Sequence, residues 1–235
     1  MKMKQSKTII TTALVLAGLF AASQTQAAVV TFNFSSSNAW TTSDLVFTSG
    51  SDSVTVGGFR GGNNTTVSST RSFIGANSAG LVVCSGGGSN SGGSATGCSG
   101  DEHTIDSNGS DEDVKFTFSQ EVTLLSATFK YWDGKGTSTS NMDDFSLFVG
   151  TTPRFTDQTI VTGASNGTAT FDFTSVGGDL TDSVFYIGAR GSEDNFKLYS
   201  LTVEIPAVPE PSTYLLMLSG LGLLGWKFGR KSLQA

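Results

Sequence analysis

Between Ala28 and Ile205 apolar residues recur at every second position in short runs, and no stretch repeats them at the spacing of a helix face. Val114, Phe116 and Phe118 fall on one side of such a run, with Lys115 and Thr117 opposite; Phe171 and Phe173 repeat the pattern around Asp172. Period two with one apolar face is the pattern of a half-buried antiparallel strand. Eleven segments qualify: 29–34, 44–47, 53–56, 80–83, 114–118, 122–131, 145–149, 158–161, 169–173, 184–189 and 196–205. Gly, Asn, Asp and Ser separate them. Many short strands with turn residues between them predict an all-β fold, an antiparallel β-sandwich with jelly-roll-like order. Within 122–131 the apolar side changes from Val122 and Leu124 to Leu125, Ala127, Phe129 and Tyr131, which predicts a β-bulge near Leu124-Leu125. Residues 49–78 are mostly Gly, Asn, Thr and Ser and read as a long loop or a ragged edge hairpin. Met142–Leu147 and Glu193–Leu198 echo one another, each an acidic turn delivering a Phe-x-Leu strand.

The two ends follow different rules. Lys2, Lys4 and Lys7 precede an apolar run from Ile9 to Ala22 and a polar stretch ending at Ala27. That order is a secretory signal peptide, here residues 1–27 forming a removable signal helix. The run is too short and too rich in Thr to span a bilayer comfortably as a permanent anchor. At the other end, residues 206–235 begin with Val208-Pro209-Glu210-Pro211-Ser212-Thr213, where two prolines fix φ and remove backbone donors. A glycine-containing apolar helix over 214–228 follows, then Lys227, Arg230 and Lys231. Such a helix is just long enough for a thin hydrocarbon core, and the basic cluster holds its end on the cytoplasmic side. A permanent tail anchor is the plain reading. The three parts in this order at the terminus resemble the PEP-CTERM sorting tail. The resemblance implies that an exosortase, a membrane-embedded enzyme of Gram-negative bacteria, recognises Pro209, Glu210 and Pro211. It also implies a transient stop in the inner membrane and delivery to the cell surface or extracellular matrix.

The segment between the ends, residues 28–205, has a length suited to one domain. With the short linker to Val208 it holds eight Lys/Arg against nineteen Asp/Glu, a net charge of −11. An acidic surface disfavours nucleic acid and anionic lipid. Cys84 and Cys98 flank a stretch of Gly, Ser, Asn, Ala and Thr that cannot bury a core. In an oxidising compartment the pair reads as a disulfide, worth about 3 kcal/mol in the chain-entropy picture. The alternative is two thiols serving a metal or a nucleophile.

The densest polar stretch, 101–113, lies between Cys98 and the strand at Val114. Asp106, Asn108 and Asp111 around Gly109 could offer oxygen ligands to Ca²⁺, with Asp101 or Glu102 closing from the other side. The spacing is not that of an EF-hand, and the simpler reading is an acidic surface loop with Asx turns. Ca²⁺ is the one cofactor these residues suggest. The run from Leu81 through Cys84, Asp101–Ser107 and Glu121–Leu124 also resembles exosortase-dependent surface proteins with a jelly-roll-like body. Ser107 stands where that group has Asn. Catalysis has little to build on. His103 is the sole histidine, no nucleophile elbow is present, and Asp143, Asp144, Glu193 and Asp194 suit acidic turns better than paired glycosidase carboxylates. Tyr131 and Trp132, before Asp133-Gly134, could stack on a sugar, as could Trp40; a core cap and an edge shield are the competing roles. The sequence therefore predicts a non-catalytic structural or adhesive surface protein. A module binding exopolysaccharide is the alternative, and a secreted hydrolase comes last.

Overall fold

A computed structural model describes residues 26–35, 39–84, 104–107, 110–131, 143–160, 168–191, 194–207 and 217–223. The predicted signal peptide falls outside them except for Gln26 and Ala27. Residues Ala28–Ile205 form one compact unit. Its strands are β1 (Ala28–Asn33), β2 (Ala39–Thr41), β3 (Leu45–Ser49), β4 (Asp52–Arg60), β5 (Thr70–Asn77), β6 (Gly80–Cys84), β7 (Ile105–Asp106), β8 (Glu112–Tyr131), β9 (Asp144–Val149), β10 (Thr152–Thr159), β11 (Thr168–Asp172), β12 (Thr181–Gly188) and β13 (Asn195–Ile205). The all-β expectation holds.

The two-layer jelly-roll expectation does not. The strands follow the order β1-β13-β6-β5-β4-β8-β12-β9-β10, and β13 also pairs with β8. The path β8-β4-β5-β6-β13 therefore returns to β8 and closes a barrel. The cause lies in β8, which the sequence reading split in two. Ser119-Gln120-Glu121 looks like a turn, yet these residues continue a twenty-residue strand. The first half of β8 pairs with β4, from Arg60 opposite Glu112 to Val54 opposite Phe118, and with β12 on its other edge. In the second half β13 replaces β4 from Thr123 onward, and β11 follows β12 on the other edge from Ser126. One strand thus serves both walls, which two separate sheets cannot share.

The change of apolar side within β8 is a bulge. Val203 pairs with Leu124 and Thr202 with Ser126, so Leu125 is the extra residue. Val122, Leu124, Ala127 and Phe129 consequently all face the core, each 1 % exposed or less. Leu125 is only half-buried. Of the two readings of 49–78 the hairpin holds, although β8 on one side and β6 on the other make it interior and not an edge. It supplies β4 and β5, with Val54, Val56, Ile74 and Ala76 fully buried. Glycines are the reason this was hidden: Gly58 and Gly75 sit where neighbours approach too closely for a side chain, Gly75 lying under the Trp40 ring.

Phenylalanine fills the interior. Phe129 packs tilted against Phe145 at 4.9 Å and meets Phe196 edge-on at 5.2 Å. Phe171 meets Phe145 edge-on at 5.0 Å. Such pairs add about 0.5–1.5 kcal/mol each beyond the area they bury. Beyond this unit, residues 217–223 are helical. The rest of the expected 214–228 helix lies outside the described residues, and among those described no helix is long and apolar enough to cross a membrane.

Candidate functional site

Among the described residues three polar centres interrupt the apolar pattern. The deepest is Arg190, which follows β12 and opposes the start of β8, where Gly188 pairs with Asp113. The side chains of Arg190 and Asp113 are both 0 % exposed, and Nη2 of Arg190 reaches the two carboxylate oxygens at 2.5 and 2.6 Å. Nε donates to the carbonyl of Asn63 at 3.1 Å, and Nη1 donates to that of Ala189 at 3.0 Å. The guanidinium lies 5.5 Å from the centre of the Phe148 ring. Asp113 also accepts from the Ser68 amide at 2.6 Å. The ion pair therefore ties residues 61–68 onto the outer side of the barrel wall. It is a structural clasp with no open approach to its charges.

The second centre joins the two acidic turns. Asp194 Oδ1 accepts from the Asp144 amide at 3.1 Å, while Asp143 Oδ1 accepts from the Asn195 amide at 3.2 Å. Each turn caps the strand delivered by the other, so the echo between 142–147 and 193–198 is a reciprocal contact between β9 and β13. Asp157 sits nearby, with φ of +50° and a side chain accepting from Asn64 at 3.3 Å. Burial pushes the Asp194 carboxyl up to about 7, and the charges of Asp144, Asp143 and Asp157 add to that, against the amide bond from Asp144. Burial likewise raises Asp144, with Asp157 adding to it. These carboxylates are spent on backbone amides, which is the work of turn caps rather than of a glycosidase pair. Glu193 lies outside the described residues.

The candidate Ca²⁺ ligands divide. Asp101, Glu102 and Asn108 lie outside the described residues, as does His103. Asp106 is buried in β7; its amide donates to Glu112 Oε2 at 3.1 Å, and Thr104 Oγ1 donates to its Oδ2 at 3.4 Å. Asp111 lies 3.9 Å from Arg190 Nε. Burial raises its carboxyl, and Arg190 works against that. Among the described residues no group of three or more His, Cys, Asp or Glu is placed to hold a metal ion.

Cys84 ends β6, 1 % exposed, with its carbonyl accepting from Ser72 Oγ; Cys98 lies outside the described residues. Tyr131 ends β8 opposite Phe196, its side chain not described, and Trp132 lies outside the described residues. Trp40 gives one ring face to Gly75.

The third centre was not singled out from the sequence. Lys130 and Lys197 are direct cross-strand partners on β8 and β13. Lys130 Nζ lies 4.0 Å above the Tyr199 ring and donates to the Ser78 carbonyl at 3.4 Å. The signal was present as a lysine at an outward position of each strand, but only the register shows that they meet.

The sorting residues Pro209, Glu210 and Pro211 lie outside the described residues, and their assignment rests on comparison. Comparison of the chain with curated proteins and with solved structures gives no match. Residues 207–231 match the family model of the PEP-CTERM protein-sorting motif, so the chain carries a PEP-CTERM sorting motif after its β-barrel unit.

Proposed function

We propose that this chain is an exported, non-catalytic protein of the bacterial surface or extracellular matrix, in which the tail directs the journey and the barrel is the cargo. The observation that carries this reading is the sorting motif at 207–231, which starts directly after the last strand of the compact unit. The expected order of events is cleavage after Ala27, a pause of the 214–228 helix in the inner membrane, and exosortase action at Pro209-Glu210-Pro211. A closed barrel suits the destination, because closure leaves fewer unpaired strand edges to recruit other chains. A disulfide between Cys84 and Cys98 belongs to the same reading, since export places both in an oxidising compartment. Ca²⁺ at 101–111 remains the cofactor to test by calorimetry.

Replacing Pro209, Glu210 and Pro211 together by Ala tests the sorting step. The expected outcome is a full-length species retained in the inner-membrane fraction, against a shortened species at the surface for the unaltered chain. Mass spectrometry of mature surface protein that still contains residues 214–235 would overturn the reading.

A further inference from the structure

We infer that the mature chain is circular: the α-amino group that signal cleavage leaves on Ala28 takes up the carbonyl group that the sorting enzyme frees within 208–210, so that a new peptide bond joins β13 to β1. The inference rests on the reading that both ends are cut during export, and it adds a covalent modification with Ala28 as its site.

Register carries it. The residue expected to lead the chain after signal cleavage, Ala28, is also the first residue of β1, and its ladder partner is Ile205, the last residue of β13. The six pairs from Ala28 with Ile205 to Asn33 with Ser200 run without a register shift. Phe32 in β1 and Phe34 just after it are fully buried, which anchors β1 at this place. Chain ends commonly lie near one another at a domain surface. Here they face each other across one rung, about 4.5–5.5 Å between Cα atoms. Ala28, Val29 and Pro206 are exposed, so an enzyme meets both strand ends together. Three residues follow Ile205 if the cut falls after Val208, and five if it falls after Glu210. Loops of about two to five residues are the usual links between antiparallel neighbours. Pro206 and Pro209 fix φ within that link and leave it few conformations to lose. Joining the ends therefore turns β13 and β1 into an ordinary hairpin and breaks no rung.

The chemistry balances without water or an oxidant. A sorting enzyme of the acyl-transfer class attacks the carbonyl at the cut, the tail departs with a new amine, and the barrel is held as an acyl-enzyme. The Ala28 amine attacks that carbonyl, yields its proton to the departing enzyme nucleophile and forms the amide. One peptide bond breaks and one forms. An α-amine titrates near about 7.7–8.0 when unperturbed, against about 10.4 for lysine, so more of it is free base at neutral pH. Lys130 and Lys197 pair with each other toward the far end of β13 from Ile205. A tethered neighbour also acts at an effective concentration of about millimolar, ahead of acceptors that must diffuse in.

Mass spectrometry of the mature surface protein is the test. The expected mass is that of the chain from Ala28 to the cut, lighter by one water than the linear product, and no N-terminus opens to Edman degradation. Trypsin should release one peptide running from Leu198 through the new bond to Arg60, because no Lys or Arg lies between. Ala28→Gln gives an N-terminal glutamine that closes on its own α-amine as pyroglutamate and removes the nucleophile. At this exposed position the melting temperature of the purified barrel should stay the same, while the junction peptide falls at least tenfold and a linear product cut at the same bond replaces it. A linear mature protein with a free Ala28 amine, a head-to-tail dimer, or an adduct of the cut carbonyl with another amine overturns the inference. So does a junction peptide undiminished in Ala28→Gln. A mature chain that keeps residues 214–235 overturns the sorting reading and this inference with it, whereas a linear chain cut at the motif overturns this inference alone.

Discussion

A single arginine shows how far one residue organises this barrel. Arg190 is surrounded by three carbonyl groups, a phenylalanine ring and the Asp113 carboxylate, and the two charged side chains are themselves fully buried. Burying two charges is costly, and only their pairing and the extra hydrogen bonds make it tolerable. Removing one partner leaves the other charged and dry. Arg190→Met should therefore cost about 3–5 kcal/mol, more than any exposed ion pair here, such as Arg71 with Asp44. Asp113→Asn combined with Arg190→Met should recover part of that loss, because it removes the stranded charge. Urea unfolding followed by tryptophan fluorescence measures both. A loss from Arg190→Met below about 1 kcal/mol would mean that the clasp is already wet. Sequence alone gives no sign of this centre, since Asp113 reads as one more acid in the run 101–113 and Arg190 as a turn residue after a strand.

At the scale of elements, legibility follows the side-chain alternation and fails where glycine or continuity hides it. β1, β9, β11 and β13 were readable because Phe32, Phe145, Leu147, Phe171 and Leu201 mark one face. β4 is legible only over 53–56 and β5 not at all, because glycine replaces a side chain at Gly57, Gly58 and Gly75, where Asp44, Phe73 and Trp40 press against the backbone. β8 reads as two strands because Ser119-Gln120-Glu121 is polar, although a strand passing from one wall to the other can expose such residues at no cost. The acidic turns were legible as a pair, but their reciprocal capping was not, since contact across 50 residues leaves no local trace. β12 gives the sharpest test of close approach. A Cβ at Gly188 would collide with the Asp113 carboxylate and the Glu112 carbonyl, and the latter is backbone that cannot turn aside. Gly188→Ala should cost about 3 kcal/mol, at the upper end for inserting a methyl group into a filled site. Gly177→Ala has open space, and a modest strain from its φ of +70° is all that it should show. Equal melting temperatures for the two variants would mean that β8 and β12 are not in contact at Gly188.

For the whole molecule, the carboxylates crowded around Asp194 make stability depend on pH. Asp194 titrates near 7 in the folded barrel against about 3.8 when unfolded, because burial disfavours its charge and Asp144, Asp143 and Asp157 repel it. The folded state thus holds a proton that the unfolded chain releases above about pH 4. Its contribution is complete below that pH and is lost as pH rises through 7. Asp111 and Asp144 are raised as well and act in the same direction, while exposed Asp172, lowered by the Thr174 hydroxyl and amide, acts weakly against them. A protonated Asp194 also gives a donor to a cluster that otherwise holds mainly acceptors, among them the buried Asn195 Oδ1 and Asp144 Oδ1. Allowing for screening of partly wet groups, the barrel should be more stable at pH 5 than at pH 8 by about 2 kcal/mol, or about 5 °C in Tm. The general repulsion of a body with net charge −11 has the same sign, so the cluster needs its own control. Asp194→Asn removes the titrating group and should cut the difference between pH 5 and pH 8 by at least half. Asp157→Asn keeps an acceptor for Asn64 and a residue type that tolerates the left-handed backbone, yet removes one repelling charge. It should shift the midpoint of the pH dependence downward without abolishing it. Calorimetric scans across this range decide the matter: a Tm that is flat, or that rises with pH, would show that the two acidic turns are joined by hydrogen bonds alone and carry no stored proton.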